Sequence, residues 1–395
     1  MPSVADDLAR WAFALEPTAE DLELADRSLL DTVAVAVAAR DHPVMRVVAG
    51  MSDALRWSVA GHVLDFDDLH MESTTHISVI CTPAVLATGG GARAYLAAAG
   101  VMARLGNALG WPHYSSGWHA TCTAGAPAAA VGAGMAMGLD AERLATAIAL
   151  AVPAAGGVQR AFGTDAKSLQ VGFAAEAGVR AASLAAAGAT ADVTALDDWL
   201  ELLGGDPSRL RLDGPAVPGG LAVKVYPCCY ALQRPISALA GLGGGVLDLG
   251  AVKRIVLRTP AGTVKPLIHH DPRTGLEGQF SLEYAAAAAL LDEHQGFSSF
   301  TDAAVVRPEA CRLAGLVETQ LSEGGDWLLA GELEVEVHVR DEVLAVHSQF
   351  APGSPQQPIT PDELRRKAED CLTGTALDPA SISWESAAGV LRGAL

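Results

Sequence analysis

The sequence has little positive charge and few aromatic side chains. Its 395 residues include 27 Lys and Arg against 46 Asp and Glu, a formal net charge of −19, and 5% are aromatic. Because nucleic acid is bound through a basic face, this balance argues against a nucleic-acid partner. In so acidic a chain each Lys or His inside an apolar segment is informative, since a small anionic substrate needs local positive charge.

The sequence also lacks the patterns that are typical of secreted and membrane proteins. The six Cys form no CxxC pair, which favours reduced cytosolic thiols over a zinc knuckle or a disulfide framework. The N-terminus is acidic and polar, unlike a signal peptide. The longest apolar runs, near residues 124–139 and 144–158, are broken by Pro or charge and give no clean membrane span of about 20 residues. These features predict a cytoplasmic protein without membrane contact.

Motifs for nucleotide binding or serine catalysis are absent as well. The glycine runs at 89–91 and 243–245 lack the strand-then-helix setting of a phosphate-binding loop, and the chain has no G-x-S-x-G elbow. His269 and His270 have no third ligand at useful spacing, so we interpret them as part of a surface loop rather than a metal site.

Apolar residues at helical spacing predict that residues 1–240 are almost entirely helical. Thr18 and Asp21 predict a capping box at the start of a helix over 18–39. Ala-rich segments predict further closely packed helices at 84–108, 124–138, 140–153 and 168–188.

The pattern changes at the glycine-rich stretch 241–250. Residues 253–258 look like a strand, and the strict alternation from Leu333 to Arg340 predicts another. This second strand is expected to form a hairpin with 343–350. A helix at 280–291 lies between the strands, which together indicates a small α+β domain.

A last helix is expected at 361–372, after the α+β segment. Its position suggests that the C-terminal segment returns to the helical part. We therefore predict a mainly α fold with a large all-helical domain formed by both chain ends, residues 1–243 and 352–395. Residues 244–351 would form a smaller α+β domain.

The most informative segments are residues 65–70, DFDDLH, and 75–78, THIS. Three carboxylates within four residues beside an apolar segment would be costly to bury together. They could hold Mg²⁺, they could be a solvated helix end, or one acid could orient a neighbouring base. The residues alone leave these three interpretations open.

Three further segments place a basic side chain in an apolar setting. His119 precedes an apolar helix whose N-terminus suits an anion. Lys167 precedes a small-residue helix, and Lys224 lies in KVYPCC before the glycine-rich stretch. Taken singly, the His could be a capping or core residue and each Lys a solvated side chain.

Taken together and in this order, the motifs resemble the MmgE/PrpD family. The resemblance rests on DFDD with THxS, GWHAT, GTxxKxLxxG, KVYPCC and FSLEYAAAAALLD at 280–292, and it extends from about residue 5 to 390. Members include 2-methylcitrate dehydratase, cis-aconitate decarboxylase and iminodisuccinate epimerase. The resemblance implies a helical domain with a small α+β lid, a homodimer, and no metal or organic cofactor.

The resemblance also implies which residues line a cleft between the two domains. Catalytic roles would fall to His76, His119, Asp65, Lys167 and Tyr284. Substrate-binding roles would fall to Lys224, Lys167, Arg160, Gln233 and Cys229. In this assignment His76 is the principal acid/base and Asp65 orients it, although the sequence does not separate His76 from His119. Tyr284 would be a second acid brought in by lid closure.

Four positions depart from the commoner family pattern. Ile77, Leu69, Cys229 and Gln233 stand where members have Pro, a hydroxyl residue, His and His. These changes argue against cis-aconitate decarboxylation. We predict a metal-free lyase that dehydrates a small citrate-like polycarboxylate by α-proton chemistry. An epimerase of an amino- or imino-dicarboxylate, a decarboxylase and a non-catalytic helical binding protein are the alternatives.

Overall fold

A computed structural model describes residues 3–243, 247–325 and 331–395. These residues form many α-helices and one four-stranded sheet, which confirms the predicted mainly α fold with a smaller α+β part. Within the described ranges, no helix is both long enough and apolar enough to cross a membrane.

The chain divides into two compact units. The first combines Met1–Val223 with Pro361–Leu395, and the second is Lys224–Thr360. The unit boundaries therefore differ from the predicted ones at 243/244 and 351/352. The physical reason is that the helix Gln233–Gly243, expected in the first unit, packs on the helix Leu282–Leu291 of the second. The predicted boundary adjoins residues 244–246, which lie outside the described residues.

The first unit is built from helices that we number in chain order. They are α1 (Val4–Ala14), α2 (Ala19–Ala38), α3 (Pro43–Val47), α4 (Asp53–Val63), α5 (Ser78–Ala87), α6 (Ala92–Ser115), α7 (Ala120–Ala136), α8 (Ala141–Ala151), α9 (Ala166–Ala186) and α10 (Ala195–Leu202). Two helices near the C-terminus complete the unit, and they are α17 (Pro361–Cys371) and α18 (Ala387–Ala394).

Local sequence signals set several of these boundaries. The Thr18 side chain accepts a hydrogen bond from the backbone N–H of Asp21, and the Asp21 carboxylate caps Thr18 in return, as predicted. The segment 84–108, predicted as one helix, is instead divided between α5 and α6. The break falls at Gly89, whose φ of 77° lies in the left-handed region that glycine tolerates.

Small residues allow the central helices to pack closely around α9. A Cβ added at Gly178 would lie 2.3 Å from the Cβ of Ala129 in α7. A Cβ at Gly172 would lie 2.9 Å from the backbone oxygen of Leu55 in α4. The Ala- and Gly-rich composition is therefore a packing requirement, and it brings the ends of α4, α7 and α9 together.

The second unit contains the sheet and its helices. The helices are α11 (Gln233–Gly243), α12 (Ala261–Val264), α13 (Gly275–Gly278), α14 (Leu282–Leu291), α15 (Asp302–Val305) and α16 (Pro308–Ala314). The strands are β1 (Val252–Pro260), β2 (Val317–Ser322), β3 (Leu333–Val339) and β4 (Glu342–Ser348), in the order β2-β1-β3-β4.

The sheet confirms three predicted strands and adds one. Strand β1 covers the predicted 253–258, and β3 and β4 pair antiparallel as the expected hairpin. The unpredicted strand is β2, which pairs parallel with β1 at the edge of the sheet. Glu318 and Gln320 of β2 meet Arg254 and Arg258 of β1 through polar contacts. Such a polar edge strand lacks the apolar alternation that marks a half-buried strand.

Candidate active site

Several titratable side chains of the first unit meet where α4, α7 and α9 come together. His62 lies in the last turn of α4, and the DFDD segment follows that helix directly. His76 precedes α5, and its backbone N–H donates to the Thr121 hydroxyl of α7 at 3.0 Å. His119 is the N-cap residue of α7, and Lys167 lies in the first turn of α9.

The centre of this cluster is one oxygen of Asp67. Asp67 Oδ2 accepts a hydrogen bond from His62 Nδ1 at 2.8 Å. The same oxygen lies 2.9 Å from His76 Nδ1, although the direction of that contact is outside the ordinary hydrogen-bond range. The side chains of His62 and Asp67 are 0% and 1% exposed, whereas that of His76 is 15% exposed. His76 is thus the imidazole of this trio that a solute can reach.

Burial and neighbouring charges shift the pKa values of Asp67 and His62. Burial alone would raise the pKa of Asp67, but the imidazoles of His76 and His62 hold that pKa well below its usual range. Burial lowers the pKa of His62 to about 4, against the raising effect of Asp67. His62 is therefore neutral at pH 7 and donates its Nδ1–H to an ionised Asp67.

Asp65 pairs with the Lys167 ammonium. We predicted that Asp65 orients His76, but Asp67 is the acid that approaches His76. Asp65 Oδ1 instead accepts a 2.9 Å charge-assisted hydrogen bond from Lys167 Nζ. The backbone of Asp65 is left-handed, with a φ of 52°, so the DFDD segment turns sharply at its first residue. Asp67 is thus the acid at 2.9 Å from His76, and an orienting role of Asp65 stays a prediction.

His119 is buried against the same cluster. Its ring stacks on that of His62 with centroids 5.8 Å apart, and it meets Phe162 edge-on at 5.0 Å. Its Nδ1 lies 2.7 Å from Gln170 Nε2 and 3.2 Å from Cys122 Sγ. Burial, reinforced by His62, His76 and Lys167, lowers the pKa of His119 well below its usual range. His119 is therefore neutral in the free protein.

Asp68 belongs to a separate buried network. Its Oδ1 accepts from the backbone N–H of Ser78 at 3.2 Å, and its Oδ2 hydrogen-bonds to the Ser78 hydroxyl. That hydroxyl also lies 2.7 Å from the Tyr95 hydroxyl. Burial raises the pKa of Asp68 to about 7, although its hydrogen bonds with Ser78 oppose the shift. The three acids of DFDD therefore lie in three different environments. Because the carboxylates do not share one environment, all three can be buried.

A metal ion is one alternative for the trio of His62, Asp67 and His76. These side chains offer three ligand atoms within 4.8 Å of one another. However, both imidazole Nδ1 atoms lie at 2.8–2.9 Å from one carboxylate oxygen. The His62 contact is an N–H···O hydrogen bond, whereas Zn²⁺ would bind each ligand atom at about 2.0–2.2 Å and separate the atoms from one another. The geometry fits proton chemistry better than metal binding.

Arg160, predicted to bind substrate, is exposed in the first unit. It lies in the loop between α8 and α9, two residues before Phe162. Phe162 is 36% exposed, and its ring faces both His119 and the Lys167 ammonium. The loop is therefore adjacent to the cluster, and the binding role of Arg160 stays a prediction.

The other predicted residues lie in the second unit. Lys224 and Cys229 are buried. The side-chain amide of Gln233 hydrogen-bonds to backbone atoms. Its Oε1 accepts from the N–H groups of Val225 and Tyr226 at 2.9 and 3.0 Å, and its Nε2 donates to the backbone oxygen of Tyr226 at 2.9 Å. These contacts hold the segment that follows Lys224. Whether these side chains also bind substrate stays a prediction.

Tyr284 is also in the second unit, within its core. Its side chain is almost fully buried, and its hydroxyl donates to the Ser299 carbonyl. Burial raises the pKa of Tyr284 to about 12, and Arg307 opposes this shift. In this arrangement the Tyr284 hydroxyl is hydrogen-bonded within the core of its own unit, and its role as a second acid stays a prediction.

Sequence reasoning did not single out Asp67, and it missed three further residues that support the cluster. His62 precedes DFDD by three residues at the end of a helix, which was a usable signal. Gln170 and Lys367 gave no local signal, because they act through contacts with distant segments. Lys367 of α17 donates to the Phe66 backbone oxygen at 2.8 Å and pairs with Asp31 at 2.6 Å.

Comparison with known proteins gives a consistent result along the chain. Residues 49–199 match the MmgE/PrpD N-terminal domain, and residues 226–382 match the MmgE/PrpD C-terminal domain. The two matches together cover well over half of the sequence. They include His62, the DFDD segment, His119 and Lys167 in the first match.

Several relatives are similar over half of this chain or more. A cis-aconitate decarboxylase of Aspergillus terreus is 27% identical over 362 residues, covering 80% of this chain and 73% of that protein. A cis-aconitate decarboxylase-like protein of Aspergillus oryzae is 24% identical over 441 residues, covering 92% and 89%. Human cis-aconitate decarboxylase is 28% identical over 219 residues, covering 51% and 45%.

Proposed function

The chain belongs to the MmgE/PrpD family, and on that premise we propose that it is a metal-free lyase of small citrate-like polycarboxylates. The reaction that we favour is dehydration, begun by removal of a proton from a carbon beside a carboxylate. Family membership and the lyase names of the relatives support the class of reaction.

The observation that carries this proposal is the shared carboxylate of Asp67. An ionised acid beside an imidazole stabilises the imidazolium that forms when the ring takes up a proton. His76 is the partly accessible imidazole of the trio, so it is the proposed base. Its Nδ1 faces Asp67, which leaves Nε2 for the proton.

Positive charge beside the base supports the choice of an anionic substrate. Lys167 is 17% exposed and pairs with Asp65 through one hydrogen bond at 2.9 Å. Its ammonium places a positive charge beside the base, and this charge attracts a substrate carboxylate. In a chain with a formal net charge of −19, this local cation is needed to offset the general repulsion of an anion.

The proposed elimination is balanced without any external oxidant or reductant. His76 Nε2 takes the α-proton as the C–H bond breaks, and the electron pair moves into the adjacent carboxylate. The pair then returns to form the carbon–carbon double bond as the β C–O bond breaks. Hydroxide leaves with a proton from a donor in the site, so the products are water and an unsaturated polycarboxylate.

Decarboxylation is the second candidate, because the named relatives are cis-aconitate decarboxylases. In that reaction a C–C bond breaks, CO₂ leaves, and the carbanion that remains takes a proton from the site. The same acid and base residues would serve it. Leu69 and Cys229, which replace a hydroxyl residue and a His, are the reason that we place dehydration first.

A screen of di- and tricarboxylates tests the proposal. Dehydration would give a loss of 18 mass units and a conjugated alkene that absorbs in the ultraviolet. Decarboxylation would release CO₂, and epimerisation would give solvent-deuterium incorporation without a new alkene. Failure of every polycarboxylate in all of these assays would contradict the enzyme proposal and would favour a binding protein with this fold.

Two further parts of the proposal have their own tests. Because proton transfer by His76 needs no metal, activity should survive dialysis against a strong chelator. Loss of activity that Zn²⁺ or Mg²⁺ restores would overturn that part. From the family resemblance we also propose a homodimer, for which light scattering should give twice the chain mass of 40.5 kDa.

A further inference from the structure

The side-chain amide of Gln170 has only one orientation that its neighbours permit. Its Oε1 accepts from the backbone N–H of Val158 at 3.0 Å, and its Nε2 donates to the backbone oxygen of Val158 at 3.3 Å. A backbone N–H can only donate, and a backbone oxygen can only accept. Val158 therefore fixes which end of the amide is the NH₂ group, an assignment that usually has to be inferred.

This orientation determines which nitrogen of His119 carries the hydrogen. Gln170 Nε2 lies 2.7 Å from His119 Nδ1, so its second hydrogen points at that nitrogen. Nδ1 must then be the acceptor, and in a neutral imidazole the hydrogen lies on Nε2. The Cys122 thiol, at 3.2 Å from the same Nδ1, can donate to it as well.

The environment of His62 and His76 is the opposite of that of His119. The Nδ1 atoms of His62 and His76 both face Asp67 Oδ2, and an ionised carboxylate only accepts. His62 therefore carries its hydrogen on Nδ1, and the Nδ1 of His76 faces the same acceptor, which favours a hydrogen there. Within one cluster, the Nδ1 of His119 thus faces a donor, whereas the Nδ1 of His76 faces an acceptor.

We propose that Gln170 is a positioning residue that holds His119 as an Nε2–H donor, so that His76 is the base and His119 the donor to the substrate. This inference rests on the proposed function, because it assigns parts of that reaction. The Nε2–H of His119 would donate a hydrogen bond to the carboxylate oxygen that gains charge when the α-proton leaves. The sequence alone left the two histidines interchangeable.

The charged groups around His119 are consistent with a donor role. Burial of the His119 ring is the main factor that disfavours a second proton on it. The imidazoles of His62 and His76 and the Lys167 ammonium add to this effect, whereas Asp67 favours a second proton. His119 therefore has one hydrogen to offer and is not converted to an imidazolium in the free protein.

The Gln170→Glu variant tests this inference because it has nearly the same shape. One carboxylate oxygen can still accept from Val158, but the other now faces His119 and must also accept. It would draw the hydrogen to Nδ1 and leave Nε2 bare. Since loss of one donor to a developing oxyanion costs about 10²–10³-fold in kcat, we expect a loss of that size with little change in KM.

The tautomer is read directly by ¹⁵N NMR of histidine-labelled protein, without any substrate. We expect the wild-type His119 signals to show a protonated Nε2 and a bare Nδ1, and those of Gln170→Glu to show the reverse. His119→Asn assigns the signals by their disappearance. Ser183→Glu adds the same charge at the exposed far end of α9 and should leave both the spectrum and kcat unchanged.

The outcomes separate this inference from the proposed function. An Nδ1–H tautomer in the wild-type protein overturns the inference, whatever the substrate. A full kcat in a folded Gln170→Glu protein whose tautomer has switched overturns the donor role of His119. If the predicted tautomers are found but His76→Gln retains full turnover, the proposed function fails while the role of Gln170 in setting the tautomer stands.

Discussion

Nδ1 of His62 lies 2.8 Å from Oδ2 of Asp67, and both side chains are almost completely buried. A charge buried in this way is stable only if it is well hydrogen-bonded. The contact therefore keeps the carboxylate ionised beside His76, and it makes His62 part of the site rather than a core residue.

Asp67→Asn should remove most of the activity without unfolding the protein. An amide has nearly the same shape, but it no longer stabilises an imidazolium at His76. We expect kcat to fall by about 10²–10⁴-fold, the usual contribution of a positioned acid or base. Steady-state kinetics measure this, and Glu201→Gln removes an exposed acid of the same unit as a control. Wild-type kcat in Asp67→Asn would show that the carboxylate is not needed.

Two variants of His62 should behave differently. Asn places an N–H close to the position of Nδ1 and can still donate to Asp67, whereas Leu cannot. Loss of a hydrogen bond to a charged group costs about 1.5–3 kcal/mol, so His62→Leu should lose about 10–100-fold in kcat/KM and unfold at lower denaturant. His62→Asn should retain most of both. Equal losses in the two variants would mean that Nδ1 is not the group that matters.

Lys367→Met should destabilise the protein and weaken catalysis together. Lys367 pairs with buried Asp31 and holds the backbone oxygen of Phe66, which lies between Asp65 and Asp67. Breaking a buried ion pair costs about 3–5 kcal/mol in the free energy of unfolding. Urea unfolding measures this loss, and kcat should fall because the DFDD turn loses an anchor.

The matched control for Lys367 is Arg392→Met. Arg392 of α18 also ties the C-terminal segment to the first unit, through an exposed pair with Asp53. Surface pairs contribute about 0–1 kcal/mol, so this variant should be nearly as stable and as active as the wild type. Similar effects in both variants would contradict a specific role for Lys367.

Asp68 should make the protein less stable as the pH rises from about 4 to 7. Its pKa is raised to about 7 in the folded protein, whereas the unfolded chain releases the proton near 3.8. Between these values the unfolded state binds fewer protons, so the free energy of unfolding falls by up to about 1.4 kcal/mol per pH unit. The contribution is fully present below the lower value and is lost as the pH passes the higher one.

Asp68→Asn should remove this pH dependence, because an amide imitates the protonated acid and can keep the contacts to Ser78. Urea unfolding of the two proteins at pH 5, 6, 7 and 8 gives the difference directly, since other titrating groups cancel. We expect the variant to gain stability relative to the wild type as the pH rises. Parallel stability curves would contradict the raised pKa.

Features that depend on neighbouring residues were predictable from the sequence. The capping box of Thr18 and Asp21 is recognised within four consecutive residues, and the alternation in β3 is recognised within seven. Strand β2 was not predictable in this way. Its polar residues Glu318 and Gln320 interrupt the apolar alternation that marks a strand, and β2 is recognised only by its pairing with β1. The division between α5 and α6 depended on a single glycine conformation.

The site shows the same limit more clearly. Residue types and motif order indicated His76, His119 and Lys167, but they did not indicate which atoms face one another. Asp67 rather than Asp65 approaches His76 because the left-handed turn at Asp65 redirects the segment. Gln170 reaches His119 across 51 residues of chain. Such contacts follow from the packing of α7 on α9, which no local pattern encodes.

In the proposed reaction His76, supported by Asp67, removes a proton from a carbon beside a carboxylate. The most direct measurement is mass spectrometry of a polycarboxylate substrate and its product after turnover in D₂O, for the wild type and for His76→Gln. We predict that the wild type turns the substrate over and exchanges its α-proton with solvent in the presence of a chelator, and that His76→Gln loses both by at least about 100-fold. Undiminished turnover and exchange in a folded His76→Gln protein would contradict the account.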